Sequence, residues 1–232
     1  MSGAPEAEDH PEGIPQRPWA PPADATTILL VRHGATMPEH PDRPHPFLDG
    51  QGDPDLAPEG RDQAEAVGRR LAAEHAAGIG FSGVTVTNLR RTHQTAAPLL
   101  RATGLPVTEI AELREVHLGE WEGRFRQRVA DGDPLFAEAL RAQRWDVIPG
   151  AEPAAAFEAR VRAGIDRIVA AHPGGRVVAV VHGGVIGQVM STATGAGVFE
   201  FSAADNGSIS ELVVVADGGW RVRRFNDTAH LS

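Results

Sequence analysis

The sequence predicts an α/β protein, a three-layer α/β/α sandwich on a mostly parallel central sheet. Two observations carry this reading. Residues 27–31 (TILLV) and 176–181 (RVVAVV) are short, continuous apolar runs, the pattern of strands buried on both faces. Segments of helical periodicity alternate with such strands along the chain, which is how sheets covered by helices on both sides are built.

Taken in order, residues 1–25 hold six prolines and five acids against one base, Arg17. Such a stretch buries little and is expected to be a disordered tail, with one domain over 26–232. The tail carries −4 of the net charge of −9, leaving −5 for the folded part. After the 27–31 strand, residues 38–58 are rich in Pro, Gly and Asp, a loop long enough for a lid or binding loop. Residues 59–75 read as a helix with Ala64, Val67 and Leu71 on one face and Pro58 suited to its first turn. Residues 83–87 (GVTVT) alternate as a strand, and 91–102 form a helix ended by Gly104. Two short helices, interrupted by Gly132 and Pro134, are expected over 124–145. Phe157, Val161, Ile165 and Ile168 mark an amphipathic helix that stops at His172-Pro173-Gly174-Gly175. The 176–181 strand, a helix over 183–194, and an edge hairpin of 209–215 with 220–225 around Asp217-Gly218-Gly219 complete the chain. Strand order is not legible from these patterns.

The composition narrows the function. With 22 Lys plus Arg against 31 Asp plus Glu, the chain lacks the basic surface of a general nucleic-acid binder. The absence of cysteine removes disulfides, thiol nucleophiles and every cysteine-based metal site. No apolar run approaches the roughly 20 residues that cross a bilayer, and the acidic, Pro-rich beginning has no apolar signal core. A soluble protein in the cytoplasm, bound to neither membrane nor nucleic acid, is expected.

Ligands of open α/β sheets bind beyond the carboxyl ends of the strands. Here one strand runs into Arg32-His33-Gly34, another into His182-Gly183-Gly184, and a third into Asn88-Leu89-Arg90-Arg91. Glycine after histidine lets the backbone turn and leaves the imidazole uncovered. Guanidinium forks match phosphate oxygens and keep their charge. A lone strand-end histidine is more often a structural hydrogen-bonder; its repetition with arginines at one edge points instead to a pocket for a compact dianion. Other candidates carry less. His40, His45 and His93 lack metal-ligand spacing and read as surface residues. The His182 triplet is similar to an esterase oxyanion motif, but no G-x-S-x-G elbow accompanies it. Arg90, adjacent to Arg91, is expected to point away from the pocket, and Trp121 to pack. His117 is left open between pocket and surface. Arg43, His45, Phe47 and Trp145 lie in segments able to cover the site and touch the rest of the substrate.

These residues fall in an order that resembles the histidine phosphatase superfamily, the phosphoglycerate-mutase-like branch. Leu30-Val31-Arg32-His33-Gly34-Ala35-Thr36 is similar to its opening signature. Asp53-Pro54-Asp55-Leu56 with Gly60 and Gln63-Ala64 resembles D-x-x-L-T-x-x-G-x-x-Q-A, and residues 87–95 resemble S-x-L-x-R-A-x-Q-T. Leu113-Arg114-Glu115 with the run from Gly119 to Gly123 resembles L-x-E…G-x-W-E-G. Pro149-Gly150-Ala151-Glu152, His182-Gly183-Gly184, and Asn226-Asp227 with His230-Leu231 follow, so the likeness runs from about Thr26 to Leu231.

The resemblance implies a phosphoglycerate-mutase-like fold and assigns roles. His33 is the nucleophile that becomes phosphohistidine, and Arg32, Arg91 and His182 surround the phosphoryl group. Glu115 donates a proton to the leaving oxygen. Gly183 and Thr36 join Arg32, Arg91 and His182 in holding substrate. No metal and no cofactor are implied. Three departures from the pattern bear on the reading. Thr87 stands for the usual serine and keeps a hydroxyl. Ala57 stands for a threonine and loses a helix cap. Met37-Pro38-Glu39 replaces the continuation seen in true mutases, whose long basic insertion is also missing. The expectation is therefore a phosphatase acting on a small phosphorylated metabolite. A cofactor-dependent phosphoglycerate mutase and a catalytically silent phosphate-binding protein are the competing readings. An edge strand near the C-terminus would allow a homodimer.

Overall fold

Strand β1 (Thr26–Arg32) turns Ile28 and Leu30 to one face and Leu29 and Val31 to the other, each no more than 1% exposed. This two-sided burial requires a covering layer on each side. The structure, a computed structural model, describes residues 18–40 and 45–232. After β1 come a two-residue hairpin, β2 (Phe47–Leu48) and β3 (Gln51–Gly52), then α1 (Pro58–Ala76), β4 (Gly83–Val86), α2 (Arg90–Thr103) and β5 (Val107–Glu109). Next are α3 (Phe125–Ala130), α4 (Pro134–Ala142), α5 (Ala154–Ala171), β6 (Arg176–Val181), α6 (Gly183–Thr194), β7 (Ile209–Val214) and β8 (Trp220–Asp227).

The main sheet runs β5-β4-β6-β1-β7-β8. Its first four strands are mutually parallel, and β7 is antiparallel to both of its neighbours. β1 and β6 pair from Thr27 with Arg176 through Arg32 with Val181, so the two strands end together. Val67 and Leu71 of α1 and Ala96 and Leu99 of α2 cover Leu29, Val31, Val178 and Val180. On the other face, Phe157, Val161, Ile165 and Ile168 of α5 join Val185, Ile186 and Val189 of α6 over Ile28, Leu30, Val177 and Ala179. The expected three layers are present.

Two features lacked a sequence signal. β5 has all three residues exposed, so no buried periodicity marks it. The β2–β3 hairpin lies inside the expected 38–58 loop, where it buries Gln51 and places Asp53. Residues 1–17 of the expected tail and 41–44, with Arg43, lie outside the described residues. The remainder of the Pro-rich stretch contacts the domain: the Arg223 guanidinium of β8 stacks over the Trp19 ring at 4.2 Å. Among the described residues no helix is long and apolar enough to cross a membrane.

Ala57 is in extended conformation at the N-cap of α1 with no side-chain cap, as the departure at this position anticipated. A serine there would accept a hydrogen bond from an orphan helix N–H. Ala57→Ser should raise stability by about 1 kcal/mol in urea unfolding; an unchanged midpoint would refute this account of the helix start.

Candidate active site

Because β4, β6 and β1 are parallel neighbours, their carboxyl ends open on one edge. The strand-end residues therefore meet there. His33 follows β1, and its N–H donates to the Val181 carbonyl at 3.0 Å, extending the ladder by one rung. His182 is the N-cap of α6, and Arg91 lies in the first turn of α2. The His33 and His182 rings are 5.2 Å apart at 61°.

The position of His33 depends on close backbone approach. A β-carbon on Gly34 would overlap the Gly60 carbonyl of α1, and one on Gly60 would overlap the Ala35 carbonyl. Around this contact, Gly34 N–H donates to the Thr95 hydroxyl at 3.0 Å and Ala35 N–H to the Gln63 amide at 2.8 Å. From the other side, the Asn206 amide donates to the His33 carbonyl at 2.8 Å, and one Arg32 terminal nitrogen donates to the Ala204 carbonyl. Arg32 Nε is buried without a protein partner.

Hydrogen bonding determines both histidine tautomers. His33 Nδ1 lies 2.8 Å from the Gly34 carbonyl, which can only accept, so Nδ1 carries the proton and Nε2 keeps its lone pair. Arg91 Nε can only donate to His182 Nδ1, at 3.3 Å, so His182 is protonated at Nε2 and donates to the Thr87 hydroxyl at 3.1 Å. Burial, followed by the charges of Arg91 and Arg32, holds His33 well below the usual imidazole range. Burial, then Arg91 and His33, does the same to His182. Both rings are neutral near pH 7.

Glu115 follows a short 3-10 turn and is pinned from two sides. Its carboxylate accepts from Val116 N–H at 3.0 Å and from Gly184 N–H at 3.2 Å. A β-carbon on Gly184 would come within 2.5 Å of Glu115 Oε1, so this glycine makes room for the carboxylate. The Glu115 carbonyl accepts from the Gln51 amide at 2.7 Å and from Arg160 at 2.9 Å. Arg160 also donates to the carbonyls of Glu112 and Arg114 while paired with Glu152 at 2.7 Å.

These groups line a cavity of about 390 Å³ to which Arg32, His33, Thr36, Arg91, Glu115 and Gly183 all contribute. His182 sits behind it, fully buried. His45 and Trp145 also line it, whereas Phe47 lies beside Gly123 and His117 accepts from the Gly119 N–H. Arg90 points away as expected, paired with Asp53 at 2.9 Å; its own N–H also donates to Asp53, which thereby sits at the start of α2. His93 pairs with Glu109 at the surface, and Trp121 packs in the core. Among the described residues no cluster of three or more His, Asp or Glu could hold a metal ion.

Four participants were missed in the sequence. Arg126 of α3 adds a third guanidinium to the cavity and donates to the Thr36 hydroxyl at 3.2 Å. Asn206, Gln51 and Arg160 hold backbone near the histidines and Glu115. All four come from segments whose place at the site is set by packing rather than by a strand end.

The neutral histidines give stability a definite pH dependence. Below about pH 6.5 the unfolded chain takes up protons that the folded chain refuses, so this contribution is present above that pH and is lost as pH falls. The slope is about 1.4 kcal/mol per pH unit for each histidine. Urea unfolding between pH 7.5 and 5.5 should show a decline that is shallower in His182→Gln; parallel declines would contradict the assignment.

The geometry agrees with comparisons to known proteins. A sequence model of the histidine phosphatase superfamily (branch 1) matches residues 28–228. A metal-independent phosphoserine phosphatase of Arabidopsis thaliana is 30% identical over 215 residues, covering 90% of this chain and 85% of that protein. Phosphoglycerate mutase-like protein 4 of the same plant is 31% identical over 211 residues, covering 90% and 88%. The mycobacterial glucosyl-3-phosphoglycerate phosphatase superposes with a TM-score of 0.69 at 27% identity, over 88% of this chain and 100% of that one. With the family match spanning both histidine motifs and the segment that carries Glu115, the chain belongs to the histidine phosphatase superfamily, branch 1.

Proposed function

We propose that the protein is a metal-independent phosphatase that hydrolyses a phosphate monoester of a small metabolite through a phosphohistidine on His33. The observation that carries this reading is a neutral His33, with Nδ1 tied to the Gly34 carbonyl, set among arginines and in the same cavity as the Glu115 carboxyl group. In the first step His33 Nε2 attacks phosphorus and the ester P–O bond breaks. The departing alkoxide takes a proton from Glu115, because an alcohol leaves poorly as an anion. Arg32 and Arg91 supply fixed positive charge to the equatorial oxygens, where phosphoryl transfer spreads its negative charge. In the second step water attacks phosphorus and gives a proton to the Glu115 carboxylate; the new P–O bond forms as the P–N bond breaks, its electron pair returns to Nε2, and inorganic phosphate leaves with His33 neutral again.

The names of two relatives support hydrolysis. The name of a third, phosphoglycerate mutase-like, supports a second outcome in which phospho-His33 returns its phosphoryl group to a phosphoglycerate. Isomerisation dependent on a bisphosphorylated primer distinguishes the two. A silent binding protein has no use for a carboxyl group held beside the phosphate.

Phosphate release from a panel of monoesters, with EDTA present throughout, tests the reading. Wild type should turn over, and His33→Ala should lose roughly 10³-fold or more; a fully active His33→Ala protein would overturn the mechanism. Glu115→Gln should lower kcat/KM for alkyl esters by about 10²-fold or more. On 4-nitrophenyl phosphate, whose leaving group needs no proton, the loss should be much smaller. Equal losses on both esters would remove Glu115 from the role of acid.

A further inference from the structure

The cavity over His33 has two chemically different ends. The inner end holds Arg32, His33 and Arg91. The outer end is walled by Leu118, Phe125, Phe136, Leu140, Trp145 and Phe199. A phosphoryl group is only a few atoms in size, so most of the 390 Å³ is left for what the phosphate is attached to.

The four rings of the outer wall form one connected row. Phe136 meets Phe125 edge to face at 6.0 Å, Phe125 meets Trp145 in the same way at 5.9 Å, and Trp145 lies 4.3 Å from Phe199. Trp145 is only 8% exposed, which anchors the row in the core, while Phe125, Phe136 and Phe199 remain partly open. Packing alone accounts for Trp145. Phe125, Phe136 and Phe199 pack against the same core on one side, yet they line the nucleophile's cavity on the other, and the exposed Leu140 lines it too.

We propose that this outer end is a leaving-group subsite for an aromatic or similarly flat apolar alcohol, so that arylalkyl phosphate monoesters are the preferred substrate class. The inference rests on the phosphatase reading of the inner end. Flat rings stack offset or edge-on against such a wall, and a preformed wall loses little freedom on binding. A sugar would bring hydroxyls against the row of rings and leucines, where each is left unpaired at a cost. A three-carbon acid would leave the wall unfilled. Two polar groups that line the cavity also have partners within the protein. Arg126 donates to the Thr36 hydroxyl, and Glu39 accepts from the N–H groups of Arg126 and Gln127 at 3.2 and 3.1 Å.

The test compares kcat/KM for 2-phenylethyl phosphate, ethyl phosphate and phosphoserine, all esters of alkyl alcohols, so that leaving-group reactivity does not decide the result. A single methylene in an apolar pocket discriminates by about 10-fold or more. The phenylethyl ester should therefore exceed both others by at least about tenfold. Phe136→Ala should narrow its advantage over ethyl phosphate. Leu140→Glu, at a side chain 41% exposed, should do the same and serves if Phe136→Ala fails to fold. Equal rates, or a preference for phosphoserine with Arg126 and Glu39 reading its charged head group, would overturn the subsite. If no ester is hydrolysed, the phosphatase reading fails, and calorimetry with 3-phenylpropylphosphonate and propylphosphonate decides the subsite by itself. Tighter binding of the aromatic phosphonate supports it, and equal binding overturns it.

Discussion

Two imidazoles 5.2 Å apart lie buried among guanidinium groups, which favours the uncharged form of both, and much of the surrounding architecture serves that condition. A proton on either ring would sit in a low-dielectric site facing like charges. The hydrogen bonds therefore specify more than position. The Gly34 carbonyl selects the His33 tautomer that exposes Nε2, and Arg91 selects the opposite tautomer in His182, whose proton goes to the Thr87 hydroxyl. The hydroxyl that threonine shares with serine is the part of residue 87 that this arrangement uses, which explains why the departure from the family pattern is harmless.

The cost of holding this arrangement is spread over backbone and amide groups far from the chemistry. Gly34 and Gly60 let β1 and α1 approach to carbonyl contact. The motif glutamines Gln63 and Gln94 act as backbone clamps, on Ala35 and Leu56, and do not line the cavity. Arg160 gathers three successive-turn carbonyls around Glu115 and balances its own charge on Glu152. A charged donor satisfying several buried carbonyls stiffens a segment that has no regular ladder of its own. Several residues of the resemblance thus turn out to be structural, and their physical role is to remove freedom from His33 and Glu115.

The far wall of the cavity is built from different material. The 124–145 segment and the turn carrying Phe199 lie outside the sheet, and contribute rings and aliphatic side chains together with one guanidinium, that of Arg126. α3 is held at its start by Glu39, a residue from the loop after β1, so loop and insert are joined over the same opening. The sheet edge that carries the histidines and the segment that supplies the rings are consequently separable in sequence.

The linear order of residues was enough for the buried strands, the C-terminal hairpin, the longer helices and the sheet edge that carries the histidines. Parallel strands buried on both faces announce themselves as TILLV and RVVAVV, and whatever follows them must emerge at the carboxyl end of the sheet. His33, His182, Arg32 and Arg91 were legible for that reason. Glu115 was not: it follows a 3-10 turn, and only the family resemblance singled it out. β5, with every residue exposed, and Arg126, Asn206 and Arg160, whose neighbours are distant in the chain, carry no local period that a reader could use. Their placement depends on which elements pack together, and packing is set by the summed burial of many side chains. The same holds for the division of the cavity into a cationic and an aromatic end, because its walls come from five separate stretches that meet only in the folded chain.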